Sequence, residues 1–131
     1  MHQKAGSRNV VELHGSVYRN FCMNCSKKYN LGYILESEGI PKCHCGGVIK
    51  PDVVLYGEAL SSEAIRKSEQ AISAADTLLI VGTSLSVYPA ASLIHNYNGE
   101  NLVIINGTST PKDGFADLVI NQDMISVFSN L

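Results

Sequence analysis

Hydrophobic and polar positions keep two different rhythms along this chain. From residue 53 onward, short apolar blocks stand alone between polar or amphipathic stretches: Val53-Val54-Leu55-Tyr56, Leu78-Leu79-Ile80-Val81, Leu102-Val103-Ile104-Ile105 and Leu118-Val119-Ile120. Uninterrupted runs of this kind, bounded by Gly and Asn, predict strands covered on both faces of a parallel sheet. Between the first two, Ser61 is placed to cap a helix reaching Ala75, with Ile65, Ser68, Ala71, Ile72 and Ala75 along one stripe. Pro89 suits the first turn of a second helix, which runs to Tyr97 and stops at Asn98-Gly99; a third comes after Asp123. Strand and helix in alternation predict βαβ units and an α/β fold.

The first fifty residues have shorter periods. Val10-Val11-Glu12-Leu13 predicts a strand that ends in His14-Gly15-Ser16, and Val17 to Cys22 a second one. Leu31, Ile34 and Leu35 predict a short helix closed by Gly39 and Pro41, and Val48-Ile49-Lys50-Pro51 completes a small module. Such a module has little apolar material of its own.

The cysteines supply what the core lacks. All four lie between Phe21 and Gly46, as Cys22 and Cys25 (C-x-x-C) and Cys43 and Cys45 (C-x-C), with residues 26–42 between the pairs. Two knuckles joined by a loop of this length can set four thiolates tetrahedrally around one Zn²⁺. Two disulfides or scattered core cysteines are the alternatives; disulfides require an oxidising compartment, and scattered core cysteines would not fall into two pairs. The opening residues 1–10 have no apolar core of a signal peptide, and no run approaches the ~18 apolar residues of a membrane span. The expectation is a chain in the reducing cytoplasm with structural zinc and no membrane. The second knuckle is a residue shorter than usual, and His44 inside it is a conceivable substitute ligand. A structural zinc site contributes about 10–16 kcal/mol of apparent binding energy, enough to hold a small module folded.

At 131 residues and 45% hydrophobic content the chain suffices for one ordinary domain, and a formal net charge of −2 argues against nucleic-acid binding through broad electrostatics. Ligands of parallel sheets bind beyond the carboxyl ends of the strands. Those ends here carry Gly82-Thr83-Ser84 and Asn106-Gly107-Thr108. Singly, each is also an ordinary turn; two in successive βα turns favour a nucleotide site. A phosphate-cradling G-x-G-x-x-G is absent. His14, taken alone, reads better as a surface histidine in a turn.

Taken together, Glu12-Leu13-His14-Gly15-Ser16, the two cysteine pairs, Val53 to Glu58, Gly82 to Pro89, Val103 to Asn106 and Asp123-Met124 resemble the sirtuin family of NAD-dependent protein deacylases. The likeness covers essentially the whole chain. It implies a partial Rossmann-like parallel sheet with a small inserted zinc-ribbon-type module. The corresponding division is residues 1–16 (a segment of the NAD-binding domain), 17–51 (the zinc module) and 52–131 (the C-terminal half of the NAD-binding domain). It implies His14 as general base, and Cys22, Cys25, Cys43 and Cys45 as zinc ligands. NAD contacts are implied for Gly82, Thr83, Ser84, Asn106, Gly107, Thr108 and Met124. Val54, Tyr56, Gly57 and Glu58, with Val87 and Tyr88, are implied to hold an acyl-lysine peptide as an added strand. The implied reaction removes an acetyl or other acyl group from a protein lysine, giving nicotinamide and O-acyl-ADP-ribose, with the histidine deprotonating a ribose hydroxyl.

A sirtuin begins with a strand and a Gly-Ala-Gly loop, then a Thr-Gln-Asn-Ile-Asp segment. Residues 1–6 of this chain resemble the stretch immediately after that segment, which implies an incomplete enzyme. The strand at 78–82 would then lack a neighbour, and its open edge implies self-association. The alternative class is a non-catalytic zinc-binding interaction module or an inactive fragment, which has no need of His14 or of hydroxyl-bearing strand ends.

Overall fold

The computed structural model describes residues 2–130 and divides into two units, Met1–Ala64 and Ile65–Leu131.

The first unit is built on an antiparallel sheet of three strands: β1 (Gly15–Cys22), β2 (Lys28–Asn30) and β3 (Ile49–Val53), in the order β2-β1-β3. Cys22 pairs with Ile49, Phe21 with Lys50 and Asn20 with Pro51; the register then slips, so that Ser16 faces Asp52 and residues 17–19 bulge. The bulge hides Asn20, whose amide donates back to the Val17 carbonyl at 3.0 Å and leaves no polar group stranded. It also sets Arg19 between two carboxylates, Glu12 and Asp52. Pro51 costs the sheet nothing, because β3 is an outer strand. Helix α1 (Leu31–Leu35) comes directly after β2, its first turn capped by the Asn30 side chain, which accepts from the Tyr33 backbone N–H.

Two expectations fail in this unit. Val10–Leu13 forms no strand, because the Glu12 carbonyl accepts the Gly15 N–H at 2.9 Å and closes a turn. His14 therefore precedes a strand instead of ending one. Gly15 begins β1 at φ +79°, and a Cβ there would stand 1.9 Å from the Asp52 carbonyl oxygen, so the close pairing of β1 with β3 admits glycine alone. Likewise Val53–Tyr56 is no strand of a parallel sheet. Val53 closes β3, and the chain then turns at Tyr56-Gly57, where Glu58 N–H donates back to the Leu55 carbonyl.

Helix α2 (Ser62–Ser73) starts where Ser61 was expected to cap it, the Ser61 hydroxyl accepting from the Ala64 N–H at 3.3 Å. Of the expected stripe, Ile65, Ser68 and Ile72 are half-buried, as is Ala75 just past the helix, whereas Ala71 is exposed. Among the described residues, no helix is long and apolar enough to cross a membrane.

In the second unit, β4 (Leu78–Val81), β5 (Leu102–Ile105) and β6 (Leu118–Ile120) form a parallel sheet in that order. The register is in step: Leu78 with Leu102 through Val81 with Ile105, and Val103 with Leu118 through Ile105 with Ile120. Only β5 is covered as an apolar run predicts, with Ile104 fully buried; Leu79 on β4 and Leu118 on β6 are 46% and 51% exposed. The core is Leu85, Ile94, Leu102 and Ile104. Asp117 closes the amino end of the sheet, its carboxylate accepting the Leu102 N–H at 2.7 Å. The helix expected after Pro89 forms over Ala90–Asn96 but as a 3-10 helix. Ser92 explains the tighter winding, since its N–H and its hydroxyl both donate to the Pro89 carbonyl three residues back. A last helix, α3 (Met124–Phe128), is capped by Asp123, which accepts the Ser126 N–H at 3.0 Å.

Candidate functional site

Turns on either side of β1 and β3 gather the cysteines. The Cys22 N–H donates to the Lys27 carbonyl and the Ser26 N–H to the Cys22 carbonyl, which wraps the first knuckle. In the second, Cys43 N–H reaches the Gly47 carbonyl and Gly46 N–H the Cys43 carbonyl, both at 2.8 Å. Gly47 lies against the first knuckle: a Cβ there would stand 2.7 Å from Cys22 Sγ. The four Sγ atoms lie within 4.8 Å of one another. Cys22 to Cys45 and Cys25 to Cys45 are both 3.5 Å, and Cys25 to Cys43 is 3.6 Å. A disulfide would need ~2.05 Å, whereas tetrahedral zinc with Zn–S of about 2.3 Å places its sulfurs about 3.8 Å apart. The cluster fits zinc, and all four thiols are free. His44, exposed within the short knuckle, is outside the cluster.

The electrostatics of the metal-free thiols point the same way. Cys43 is pulled down to about 6, first by the Cys45 backbone N–H and next by the Tyr29 hydroxyl. Cys22 is lowered mainly by the Cys25 backbone N–H. At Cys45 the Gly47 backbone N–H favours the thiolate, but the thiols around it outweigh that and push it up to about 12. Four thiolates at this spacing need a cation among them, and a divalent ion supplies it. The chemistry it supplies is structural: all four positions are taken by sulfur, so none is open to a substrate.

His14 lies exposed at the head of β1. Its carbonyl accepts the Val54 N–H at 3.1 Å, so the chain entering the Val54–Glu58 segment is bonded to the histidine's own backbone. In that segment Tyr56 is fully exposed. Glu58 is committed locally: its carboxylate accepts the Leu55 N–H at 3.0 Å and the Lys50 ammonium at 2.9 Å.

In the second unit the in-step register brings the strand ends to one edge. Gly82, Asn106 and the α3 start come after β4, β5 and β6 at the carboxyl side of the sheet. Gly82 N–H donates to the Ile105 carbonyl and Asn106 N–H to the Ile120 carbonyl, tying the three ends together, and the Met124 thioether packs against Gly82. The Thr83 hydroxyl accepts the Leu85 N–H, Ser84 and Ser86 hydroxyls bond at 2.7 Å, and the Asn106 amide donates to the Thr108 carbonyl. Gly107 and Thr108 are exposed, as are Val87 and Tyr88. Tyr29, which donates to Cys43 Sγ at 3.0 Å, went unread in the sequence: fourteen positions separate the two, and nothing local marks the pairing.

A sequence model of the Sir2 family matches residues 1–89. The NAD-dependent protein deacetylase of Clostridium perfringens is 57% identical over 133 residues, and that of Clostridium acetobutylicum 53%. Each alignment takes in 100% of this chain and 54% of the relative, so the chain spans about half the length of the curated relatives it matches. A solved complex described as Sir2, p53 peptide and NAD⁺ superposes with a TM-score of 0.88 at 40% identity, covering 98% of this chain and 56% of its own. A Sir2 complex with the inhibitor EX-527, 2′-O-acetyl-ADP-ribose and deacetylated p53 peptide gives 0.90 at 38% identity, covering 98% and 57%. The chain belongs to the Sir2 family.

Purified chain should hold about one Zn²⁺. Cys43→Ala or a strong chelator should melt residues 15–53 in hydrogen exchange while β4, β5 and β6 keep their protection; intact protection of β1 without metal would contradict this. The Glu58 carboxyl is held below its ordinary value of 4.5, first by the Leu55 N–H and then by Lys50. A depressed carboxyl adds stability above its unfolded pKa and loses it as pH falls through the folded one. The turn at 55–58 should therefore loosen as pH drops below 4.5. The Leu55 amide resonance should track that titration, and Glu58→Gln should abolish it.

Proposed function

We propose that this chain supplies the zinc module and the carboxyl-terminal part of the NAD site of an NAD-dependent protein-lysine deacetylase. NAD, when bound, brings the C1′ electrophile and the nicotinamide leaving group. The chain's own residues take the following parts. Gly82, Thr83, Ser84, Asn106, Gly107, Thr108 and Met124 receive the dinucleotide. Val54, Tyr56, Gly57 and Glu58, with Val87 and Tyr88, receive the acyl-lysine peptide, and His14 accepts the proton of a ribose hydroxyl. The products are the free lysine and O-acyl-ADP-ribose, an acyl transfer. Four thiols kept for a metal favour a reducing compartment, the cytoplasm.

The observation that carries this reading is the bond from Val54 N–H to the His14 carbonyl. It fixes the proposed base at the entrance of the proposed peptide strand, a juxtaposition that a pure interaction module would not require. Support comes also from the relatives named NAD-dependent protein deacetylase. Glu58 contributes by shaping the turn under Tyr56, since its carboxylate is already occupied.

The test grafts these residues in place of the matching segment of the Clostridium perfringens relative. The graft should deacetylate an acetyl-lysine peptide and release nicotinamide, and His14→Ala should cost roughly 10²–10⁴ in rate with NAD binding kept. A loss of less than about tenfold would remove His14 from the role of base.

The chain by itself has a second property under this reading. Among the described residues, β4 is an outer strand with no charge from Leu78 to Val81. An apolar edge of this kind recruits another strand. Sedimentation across the micromolar range should show association that Leu79→Lys reduces; a monomer throughout would reject the edge as a contact.

A further inference from the structure

Tyr29 is the one side chain other than cysteine that donates to the sulfur cluster among the described residues. Its hydroxyl meets Cys43 Sγ at 3.0 Å. The ring is held from two sides. Tyr29 pairs with the buried Asn20 across β1 and β2, and its ring packs on Tyr33 with centroids 4.5 Å apart. Tyr33 is set by the Asn30 cap one turn earlier, and its own hydroxyl donates to the Lys42 carbonyl at 2.8 Å. Two phenols in tilted contact thus grip two consecutive residues at the short knuckle: Tyr33 the backbone of Lys42, Tyr29 the sulfur of Cys43.

The burial of the four ligands gives this grip a consequence. Cys22 and Cys43 are buried, whereas Cys25 and Cys45 are exposed. Each knuckle therefore has one inner and one outer sulfur. Cys22 is oriented by its own knuckle, accepting from the Asn24 backbone N–H. The inner sulfur of the shorter knuckle also meets its own knuckle's Cys45 backbone N–H, and in addition it is gripped from outside by the Tyr29 hydroxyl.

We propose that Tyr29 is a positioning residue of the zinc site: its hydroxyl fixes Cys43 Sγ as a ligand of the short C-x-C knuckle and so sets the affinity of the site for the metal. Outer partners of metal ligands fix ligand orientation, and their loss typically costs roughly 10–100-fold in metal affinity. The inference rests on the zinc assignment and is independent of deacetylation.

Tyr29→Phe keeps the ring and its contact with Tyr33 and removes only the donor. In competition with a chromophoric chelator, the variant should bind Zn²⁺ roughly 10–100-fold more weakly, while saturating zinc restores the hydrogen-exchange protection of β1. With Co²⁺ in place of zinc, the thiolate-to-cobalt charge-transfer band should shift, and alkylation of Cys43 should accelerate relative to Cys22. Tyr33→Phe is the control: it cuts the bond to Lys42 but leaves the one to sulfur, and its zinc affinity should stay close to that of the parent. A Tyr29→Phe chain with parental affinity and an unchanged cobalt band would overturn the proposal. Equal losses in both variants would also overturn it, because closure of the knuckle by packing would then be the cause. So would a Tyr29→Phe chain that fails to fold in excess zinc, since the bond would then be a requirement of the fold. A parent chain that binds neither metal would instead remove the zinc assignment itself.

Discussion

The mutual approach of four sulfur atoms is the constraint on which residues 1–64 depend. The buried apolar cluster there is Cys22, Cys43 and Ile49, with Tyr29, Tyr33 and Ile34 packed against it. Two of the three buried members belong to the four-thiol cluster. Without a cation the same atoms that fill this core compete to ionise: backbone N–H and the Tyr29 hydroxyl draw Cys43 down, while the thiols around Cys45 hold it up. One ion ends that competition and also closes the loop between the knuckles. The antiparallel sheet is then a consequence: Cys22 opposite Ile49 sets the register, and the bulge absorbs the mismatch further along β1.

The second unit obeys another logic, in which burial alone suffices. Ile104 on the central strand has a neighbour on every side, and the in-step parallel register carries three strand ends to one edge. The backbone bonds from Gly82 to Ile105 and from Asn106 to Ile120 bring the turns to a common level, and the hydroxyl and amide side chains are held by their neighbours within each turn.

Much of this was legible from residue types alone, and the exceptions have a common cause. The cysteine spacing announced the cluster, because few other arrangements need four thiols in two pairs. The strands at 78, 102 and 118, and the cap at Ser61, were legible because their signals are local. Val10–Leu13 misled because its apolar pattern is real but a backbone bond from Gly15 to Glu12 takes the carbonyl a strand would use. Val53–Tyr56 misled in the same way, through Glu58. Ala90–Asn96 was read as an α-helix but winds as a 3-10 helix, its first turn tightened where the Ser92 N–H and hydroxyl both donate to the Pro89 carbonyl. The contact of Tyr29 with Cys43 was illegible for the opposite reason: it is made by the fold and has no local pattern to betray it.

The short second knuckle has a bearing on how this module can diverge. With one residue between Cys43 and Cys45 in place of two, the chain must reverse after the pair, through Gly46 at φ +83° and Gly47 against Cys22 Sγ. The two glycines are constrained differently: at Gly46 it is the left-handed φ alone, since a Cβ there would meet no atom, whereas at Gly47 any side chain would press on the Cys22 sulfur, so the sulfur cluster itself polices that position.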